Sequence, residues 1–422
     1  MYKLLDKSGN KDYTCKVVYT KKRVLMIKIL HHDLPIASFT QDRHRYLIDY
    51  HNLSLEHSIT LSLPNTQKFY TYDHRFPPYF ETFLPEGYLY EIFKNLLTKE
   101  YGYIDDYLIF SKLAPNIQGR IAFESDFDKL DFDALNIETI AQNDSGDTFK
   151  KLLDLFLGKN AISGVQPKTV ALLKDKETLR IREYIIKTWG EEYPHLAENE
   201  YFCLNACKKA GIEIPRITLS KNKRFLIVEN FIFQEGETLG FEEILSLQKK
   251  NRISKYTGSY EQVAKTIYRF TSHKKSSLMA YFRMIVMNYL LKNGDAHLKN
   301  FGLLYDDTFG HIRLSPAYDV VNTTSYIFQD KPALTLQGQK IWHGEETLIQ
   351  FGVKQCLLTR KEAETIYRQC TNALRETIDD IERYLIANPA FAVIGRRMIE
   401  SFNVSLKNQS IKELPHELTR TW

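Results

Sequence analysis

The chain has 422 residues, of which 43% are apolar and 26% charged, and its formal net charge is +5. This composition is typical of a globular protein with about two or three domains, and it excludes a disordered or fibrous chain. The slight positive charge gives no support to direct nucleic-acid binding, for which a concentrated basic patch is expected.

The apolar runs and the five cysteines both favour a cytoplasmic protein. No apolar run approaches the ~18 residues of a membrane span, and we expect no signal peptide. Without closely spaced repeated pairs, the cysteines are expected to be reduced thiols. Cys203 and Cys207 lie four positions apart on a predicted helix, and we interpret them as core residues in preference to metal ligands.

The first part of the chain is predicted to be rich in strands. β-Branched and aromatic residues separated by polar breaks predict short strands at Thr14–Tyr19, Arg23–Ile29 and Ile36–Phe39. A helix over Tyr88–Leu97 follows, because its apolar residues recur at helical spacing. The polar segment from 136 to 147 is interpreted as a surface connection, and a short amphipathic helix is predicted at Thr148–Leu157.

The middle of the chain alternates strands with a helix, and the last part is mainly helical. Strands are predicted at Thr169–Leu173, Tyr184–Thr188 and Phe225–Val228, with a helix at Ala197–Ala210 that ends at Gly211. Helices are then predicted at Phe241–Lys249, Tyr260–Phe270, Leu278–Leu291, Arg360–Ala387 and Pro389–Ser401. The fold class is therefore α+β, with a β-rich N-terminal subdomain (1–125), a small mixed lobe (126–235) and a helical lobe (236–422).

The most informative motif is Asp295 followed five positions later by Asn300. This is the spacing of a protein-kinase catalytic loop, in which the Asp reaches the acceptor hydroxyl and the Asn holds a magnesium ion on the phosphates. Asp319, in a strand-like apolar stretch, is placed to be the metal-binding carboxylate. The spacing alone occurs by chance in many chains, so the preceding residues matter.

Those preceding residues occur in the order that a kinase requires. Alternation along Tyr184–Thr188 points Lys187 to the same face as Ile185, into a cleft, where a kinase needs a Lys against the phosphates. Glu200 on the next helix is the expected partner of this Lys, with Glu198 as the alternative. The strand that ends at Glu229 then supplies a hinge, whose backbone could hydrogen-bond an adenine edge.

The loop from 161 to 168 is a weaker signal. Phosphates require backbone N–H groups and small residues nearby, and this loop contains a single glycine, Gly164. Taken alone, the loop is better explained as an ordinary entry to the following strand.

Over nearly its whole length the chain resembles the HipA-type toxin serine/threonine kinases. The matching segments are Ser163–Lys168, Ile185–Lys187, Asn199-Glu200, Val228–Phe231, Asn293–Phe301 and Leu314–Asp319, and Phe80–Pro85 is similar to a short motif of the family's N-terminal subdomain.

The resemblance implies ATP and Mg²⁺ as cofactors, Asp295 as the catalytic base, and Asn300 and Asp319 as magnesium ligands. It implies ATP contacts from Ser163, Gly164, Val165, Lys187, His297 and Lys299, and from the backbones of Glu229 and Phe231. For His297, a residue that orients the loop is favoured over a proton carrier.

Two departures from the family pattern affect regulation and ribose binding. Ala161 stands where the family often has an inhibitory autophosphorylated serine, which leaves Ser163 as the candidate for autophosphorylation. Ile232 and Phe233 follow the hinge where the family often has Asp and Arg, so no ribose contact is expected there.

The resemblance also implies the partners. These are a small DNA-binding antitoxin similar to HipB and a protein substrate in translation, such as an aminoacyl-tRNA synthetase; DNA is contacted only through the antitoxin, and no membrane is involved. Two alternatives remain: a catalytically silent scaffold that helps an antitoxin to repress DNA, and a small-molecule phosphotransferase.

Overall fold

The computed structural model describes residues 25–127, 137–145, 148, 151–152, 177–181, 184–190, 192–234 and 236–407. Several predicted features lie outside these residues: the strands Thr14–Tyr19 and Thr169–Leu173, most of the helix Thr148–Leu157, and the loop that contains Ala161, Ser163, Gly164 and Val165. Among the described helices, none is long and apolar enough to cross a lipid bilayer.

The N-terminal part is an antiparallel five-stranded sheet covered by helices. The strands are β1 (Met26–His31), β2 (Leu34–Asp42), β3 (Arg45–Tyr50), β4 (Phe69–Asp73) and β5 (Ile121–Glu124), in the order β4-β3-β2-β1-β5, and the helices are α1 (Pro78–Glu81), α2 (Gly87–Tyr101), α3 (Asp106–Leu113) and α4 (Ile137–Gln142). Alternate strand residues such as Ile27, Ile29 and Ile48 are fully buried, and Phe80 and Phe110 join the same core. The predicted strand at 36–39 and the predicted helix at 88–97 are confirmed, and the strand predicted at 23–29 is observed from Met26.

A four-stranded antiparallel sheet lies between two hydrophobic cores. Its strands are β6 (Glu177–Ile181), β7 (Tyr184–Thr188), β8 (Ile217–Leu219) and β9 (Phe225–Glu229), in the order β6-β7-β9-β8, and α5 (Leu196–Lys209) follows β7. Phe225 and Ile227 belong to the N-terminal core, whereas Leu226 and Val228 belong to the core of the C-terminal lobe. Because side chains alternate between faces, this continuous apolar run packs on both sides of the sheet.

The rest of the described chain forms the helical lobe. It comprises β10 (Phe233–Gln234), β11 (Glu237–Thr238), β12 (Gly240–Glu243), α6 (Ile244–Leu247), α7 (Tyr260–Phe270), α8 (Lys274–Leu290), β13 (Gly302–Tyr305), β14 (Ile312–Leu314), α9 (Glu345–Gln355), α10 (Arg360–Ala387) and α11 (Ala392–Leu406). The predicted central helix is confirmed as α8, which is buried along most of its length. Cys203 and Cys207 are buried, unpaired core residues, as predicted.

One predicted helix was wrong and several helices were missed. Residues 240–243 pair as a strand with β13, and only Ile244–Leu247 are helical, where a single helix over Phe241–Lys249 was predicted. The pairing depends on Gly240, since a Cβ there would lie 2.0 Å from the ring of Tyr305. This contact joins residues far apart in sequence, so the local pattern could not reveal it. The helices α3 and α9 had not been predicted, and the segment interpreted as a surface connection contains α4, whose Ile140 is buried in the N-terminal core.

Candidate active site

A cleft of about 880 Å³ opens where the N-terminal subdomain, the four-stranded sheet and the C-terminal lobe meet. Its lining includes Ile185 and Lys187 from β7, and the alternation predicted for that strand is therefore confirmed. Asp295, Asn300 and Asp319 face the same cleft from the C-terminal lobe. The fold thus gathers in one place the groups that are separated by more than a hundred residues in sequence.

Lys187 is held by two carboxylates. Its Nζ donates to Oε1 of Glu200 and, at 3.0 Å, to Oδ1 of Asp319. Lys187 is 8% exposed and Glu200 1% exposed, so the pair is shielded from water and strongly oriented. Glu198, the alternative partner, instead accepts from the Tyr384 hydroxyl at 2.8 Å and contacts His195. Of the two candidates, the structure selects Glu200.

The loop after α8 is fixed by Asn300. The Asn300 Nδ2 donates to the carbonyl of Asp295 at 2.9 Å and to the carbonyl of Asp319 at 3.3 Å. One side-chain amide therefore connects the segment that contains Asp295 to the segment that contains Asp319. With both donors directed at backbone carbonyls, the Oδ1 oxygen is the atom that Asn300 can offer to a cation.

Gly294 allows the loop that contains Asp295 to pack closely against neighbouring residues. A Cβ at Gly294 would lie 1.9 Å from Oδ2 of Asp330 and 2.7 Å from the hydroxyl oxygen of Thr323. That hydroxyl instead accepts from the Gly294 N–H at 2.9 Å. The glycine is needed for close packing beneath the loop.

Asp319 lies in a loop, where a strand-like stretch was expected. Its φ is +59°, in the left-handed region, and no strand is assigned at 316–320. A non-glycine residue in that region is uncommon and often marks a functional site. Here the conformation directs the carboxylate at Lys187. The Asp319 carboxylate and the Asn300 amide supply oxygen donors, which is the chemistry that Mg²⁺ prefers, so the residues present fit this ion.

His297 is buried beside Asp295 and is neutral at pH 7. Its Nε2 lies 3.9 Å from Oδ1 of Asp295, and burial lowers the pKa of the imidazole to about 4 despite the Asp295 charge. Among the described residues its Nδ1 has no hydrogen-bond partner. A neutral, enclosed ring supports the predicted role of orienting the loop.

Tyr256 was not predicted from the sequence. Its hydroxyl donates to Oδ1 of Asp295 at 2.7 Å, while its ring packs edge-on against His297 at 5.0 Å between centroids. Burial and the charge of Asp295 raise the pKa of Tyr256 well above its usual range, so the hydroxyl remains a donor. Tyr256 precedes α7 in an irregular segment, where no spacing rule connects it to Asp295.

Lys299 contacts acidic residues at the mouth of the cleft. Its Nζ donates to Oε1 of Glu86 and lies 3.9 Å from Oε2 of Glu243, while Lys255 donates to the other oxygen of Glu86 at 2.9 Å. Burial alone would raise the pKa of Glu86, but the two ammonium groups outweigh it and hold the pKa at about 2. This contact joins the N-terminal subdomain to the predicted catalytic loop, and sequence reasoning did not anticipate it.

Of the two hinge residues, Phe231 lines the cleft. Its ring lies 5.5 Å from that of Tyr318 and 5.3 Å from that of Phe241, measured between centroids. The Glu229 N–H donates to the carbonyl of Arg216 at 2.9 Å, within the sheet. The pairing of β8 with β9 therefore already uses this donor, and the expectation that the backbones of Glu229 and Phe231 contact adenine stays a prediction.

Comparison with known proteins agrees with this architecture. Residues 27–124 match the model of the HipA N-terminal domain, and residues 160–378 match that of the HipA-like C-terminal domain. The chain belongs to the HipA family. The resemblance stated from the sequence motifs is therefore confirmed.

The curated relatives are similar over only part of their length. A Haemophilus influenzae protein named "Putative kinase" is 32% identical over 184 residues, which are 39% of this chain and 53% of that protein. A Sinorhizobium fredii protein named "Putative kinase Y4mE" is 24% identical over 250 residues, 53% of this chain and 57% of that protein. The chain thus spans about half the length of the curated relatives that it matches.

Among solved structures, a chain of the Shewanella oneidensis complex of HipA, HipB and operator DNA superposes with a TM-score of 0.65. The match covers 92% of this chain and 98% of that one, at 15% sequence identity. At this identity the similarity shows the fold, and it confirms the predicted HipA-like α+β class.

Proposed function

We propose that this protein is an ATP- and Mg²⁺-dependent serine/threonine protein kinase of the HipA type, acting as the toxin of a toxin–antitoxin system. One observation carries the proposal: Lys187 and the Asn300 amide converge on Asp319 from two lobes, with Asp295 held on the same amide. Phosphoryl transfer demands positioned charge at these places and little other protein chemistry.

In this proposal each residue of the cleft has one task. Asp295 orients the acceptor hydroxyl and accepts its proton, while Lys187, held by Glu200, offsets the negative charge of the nucleotide phosphates. Asn300 and Asp319 hold the metal, and bound Mg²⁺ neutralises charge that develops on the transferred phosphoryl group. The neutral His297 orients the loop around Asp295.

The nucleotide base is assigned to the apolar side of the cleft. Phe231, Tyr318 and Ile185 line it and offer aromatic and aliphatic surface to a planar ring. Ser163, Gly164 and Val165 are proposed to contact the nucleotide, and Lys299 is proposed to approach it when its contact with Glu86 opens.

The proposed partners follow from the family. A small DNA-binding antitoxin of the HipB type is proposed to bind this chain and to mediate any contact with DNA. The proposed substrate is a protein of translation, such as an aminoacyl-tRNA synthetase. The Shewanella oneidensis neighbour occurs with HipB and operator DNA, which supports the first of these proposals.

The test is transfer of the γ-phosphate of labelled ATP by the purified full chain in Mg²⁺, alone and with a cell lysate. We expect label on the chain, mapped by mass spectrometry to Ser163, and on at least one lysate protein. Label found only in small molecules would favour a small-molecule phosphotransferase. The absence of transfer, together with binding of an antitoxin, would instead favour the silent scaffold.

A further inference from the structure

A second group of ligand-type side chains lies away from the cleft, between the N-terminal subdomain and the C-terminal lobe. It consists of His31 at the end of β1, His32 in the turn that follows, and Asp307 in the loop between β13 and β14, and we name it the histidine–aspartate cluster. These residues belong to segments 275 or more positions apart in sequence. Nothing in the proposed phosphotransfer uses them.

The donor atoms of the cluster converge on one point. The Nε2 of His31 lies 2.6 Å from Oδ1 of Asp307, the Nε2 of His32 lies 2.5 Å from Oδ2, and all three ligand atoms lie within 4.8 Å of one another. Zinc binds imidazole nitrogen and carboxylate oxygen at ~2.0–2.2 Å, so ligand atoms around one ion lie ~3–4 Å apart. The separations between the ligand atoms of the cluster begin at 2.5 Å and stay within 4.8 Å, a range that includes this spacing.

The hairpin turn between β1 and β2 places the imidazoles of His31 and His32 next to each other, on the side of Asp307. Neighbouring residues of a strand normally point to opposite faces. Here His32 and Asp33 have φ values of +49° and +61°, the left-handed pair of a two-residue hairpin turn, and the two histidine rings lie 4.4 Å apart between centroids. Such turns favour Asn and Gly, so a histidine at this position accepts an unfavourable backbone conformation. Metal binding would explain why a histidine occupies this position.

The neighbours of the cluster hold its members in place. His31 is 4% exposed, and its Nδ1 lies 3.1 Å from Nδ1 of His57, which fixes the ring and leaves Nε2 facing Asp307. The adjacent Asp306 accepts from the backbone N–H groups of Thr308, Gly310 and His311, so the loop that presents Asp307 is rigid. Metal-binding histidines characteristically have such a partner on the second ring nitrogen.

Arg120 limits the number of oxygen ligands that the cluster can offer to a metal ion. Its Nε lies 2.8 Å from Oδ1 of Asp307, and its guanidinium also donates to the carbonyls of Ser58 and Glu56. One oxygen of Asp307 is therefore shared with a fixed cation, which leaves Oδ2 and the two imidazole rings as ligand groups. Mg²⁺ and Ca²⁺ require several oxygen ligands, whereas Zn²⁺ binds well to imidazole nitrogen.

We propose that His31, His32 and Asp307 bind a zinc ion that joins the N-terminal subdomain to the C-terminal lobe. Three protein ligands leave one position of a tetrahedral site for water. The ion fastens the β1–β2 turn to the β13–β14 loop, and its role is structural. This proposal is independent of the phosphotransfer chemistry.

The test uses the full chain, freed of metal by a chelator and dialysed. Zinc titrated calorimetrically should bind at one site per chain and raise the melting temperature, whereas Mg²⁺ should do neither through this cluster. His32 is the residue to change, because its side chain is 75% exposed and its loss leaves the core intact. In His32→Ala the zinc Kd should rise at least ~10–100-fold, the range measured even for outer-shell partners.

The control is His74→Ala, which removes an exposed histidine of the same sheet that stacks on His44, outside the cluster. It should bind zinc with the Kd of the unmodified chain. Asp307→Asn provides a second ligand change and should also weaken zinc binding. The proposal is overturned if the unmodified chain does not bind zinc, or if His32→Ala and Asp307→Asn bind it with unchanged Kd.

Discussion

The cleft and the contact between the N-terminal subdomain and the C-terminal lobe are both built from charged and polar side chains, but in different ways. In the cleft, Asp295 and Asn300 lie in one short loop, and a single amide connects that loop to Asp319. Between the subdomain and the lobe, each pair joins distant segments: Glu86 with Lys299, Arg252 with Asp106, and His31 with Asp307. We call this second set the interlobe contacts.

The difference shows which kinds of contact a local sequence pattern can predict. A catalytic loop needs its groups at fixed spacing, because the same short backbone must present them, and that spacing is visible in one chain. An interlobe contact needs only that two surfaces meet, and any residues of opposite charge serve. We therefore predict that changes to Asp295, Asn300 and Asp319 mainly reduce phosphotransfer, whereas removal of the carboxylate of an interlobe contact, as in Glu86→Gln, mainly reduces stability.

The largest expected effect is that of Asp295→Asn. The amide keeps the shape of the side chain and can still accept from Tyr256, but it loses the charge that attracts the acceptor proton. General-base contributions are typically ~10²–10⁴-fold, and we expect a loss of that size in the rate of label transfer, with an unchanged melting temperature. Asp330→Asn, which alters another carboxylate of the same cleft, is the control and should keep most of the activity.

Lys187→Met should reduce both activity and stability. The change leaves Glu200, which is 1% exposed, without its ammonium partner. Removing one member of a buried ion pair costs ~3–5 kcal/mol, which denaturant unfolding can measure. Lys209→Met is the matched control, because Lys209 pairs with Asp380 on the surface, where ion pairs contribute ~0–1 kcal/mol. Equal losses in the two variants would contradict the buried role of Lys187.

Tyr256→Phe should have a smaller effect, and in the opposite direction. The Tyr256 hydroxyl occupies Oδ1 of Asp295, where an acceptor hydroxyl is expected to bind. Its removal should lower the KM for the acceptor by less than ~10-fold, since a hydrogen bond to a charged group contributes ~1.5–3 kcal/mol and this one is partly exposed. Steady-state kinetics with varied acceptor measures this. An unchanged KM with a lower kcat would instead indicate that Tyr256 supports Asp295.

The smallest expected effect concerns acid stability. In the folded chain the pKa of Glu86 is about 2, below its ordinary 4.5, because two lysines oppose its burial. Its contribution to the free energy of unfolding is therefore complete above pH ~4.5 and is lost as the pH falls towards 2. Glu86→Gln should flatten the pH dependence of unfolding in that window by less than ~1 kcal/mol, because the side chain is partly exposed and screened. A large loss of phosphotransfer at pH 7 in this variant would break the distinction between cleft and interlobe contacts.

Much of the cleft could be predicted from the sequence because its signals are local. Strand alternation placed Lys187 correctly, and helix spacing identified α7 and α10 with their observed limits. The features that the sequence did not predict share one cause. The strand at Gly240–Glu243, the hydrogen bond from the Glu229 N–H and the position of Tyr256 beside Asp295 all depend on partners elsewhere in the chain. No local pattern specifies such partners, and the division into domains at 125 and 235 stays a prediction.

The central claim is that Lys187, Asn300 and Asp319 form a metal-assisted nucleotide site. Calorimetric titration of ATP into the full chain, with Mg²⁺ and with a chelator, tests it most directly. We predict that Mg²⁺ tightens ATP binding in the unmodified chain, and that Asp319→Ala, which lacks the carboxylate ligand, loses most of that tightening while still folding. ATP affinity that is the same with and without Mg²⁺ in both proteins would contradict the account.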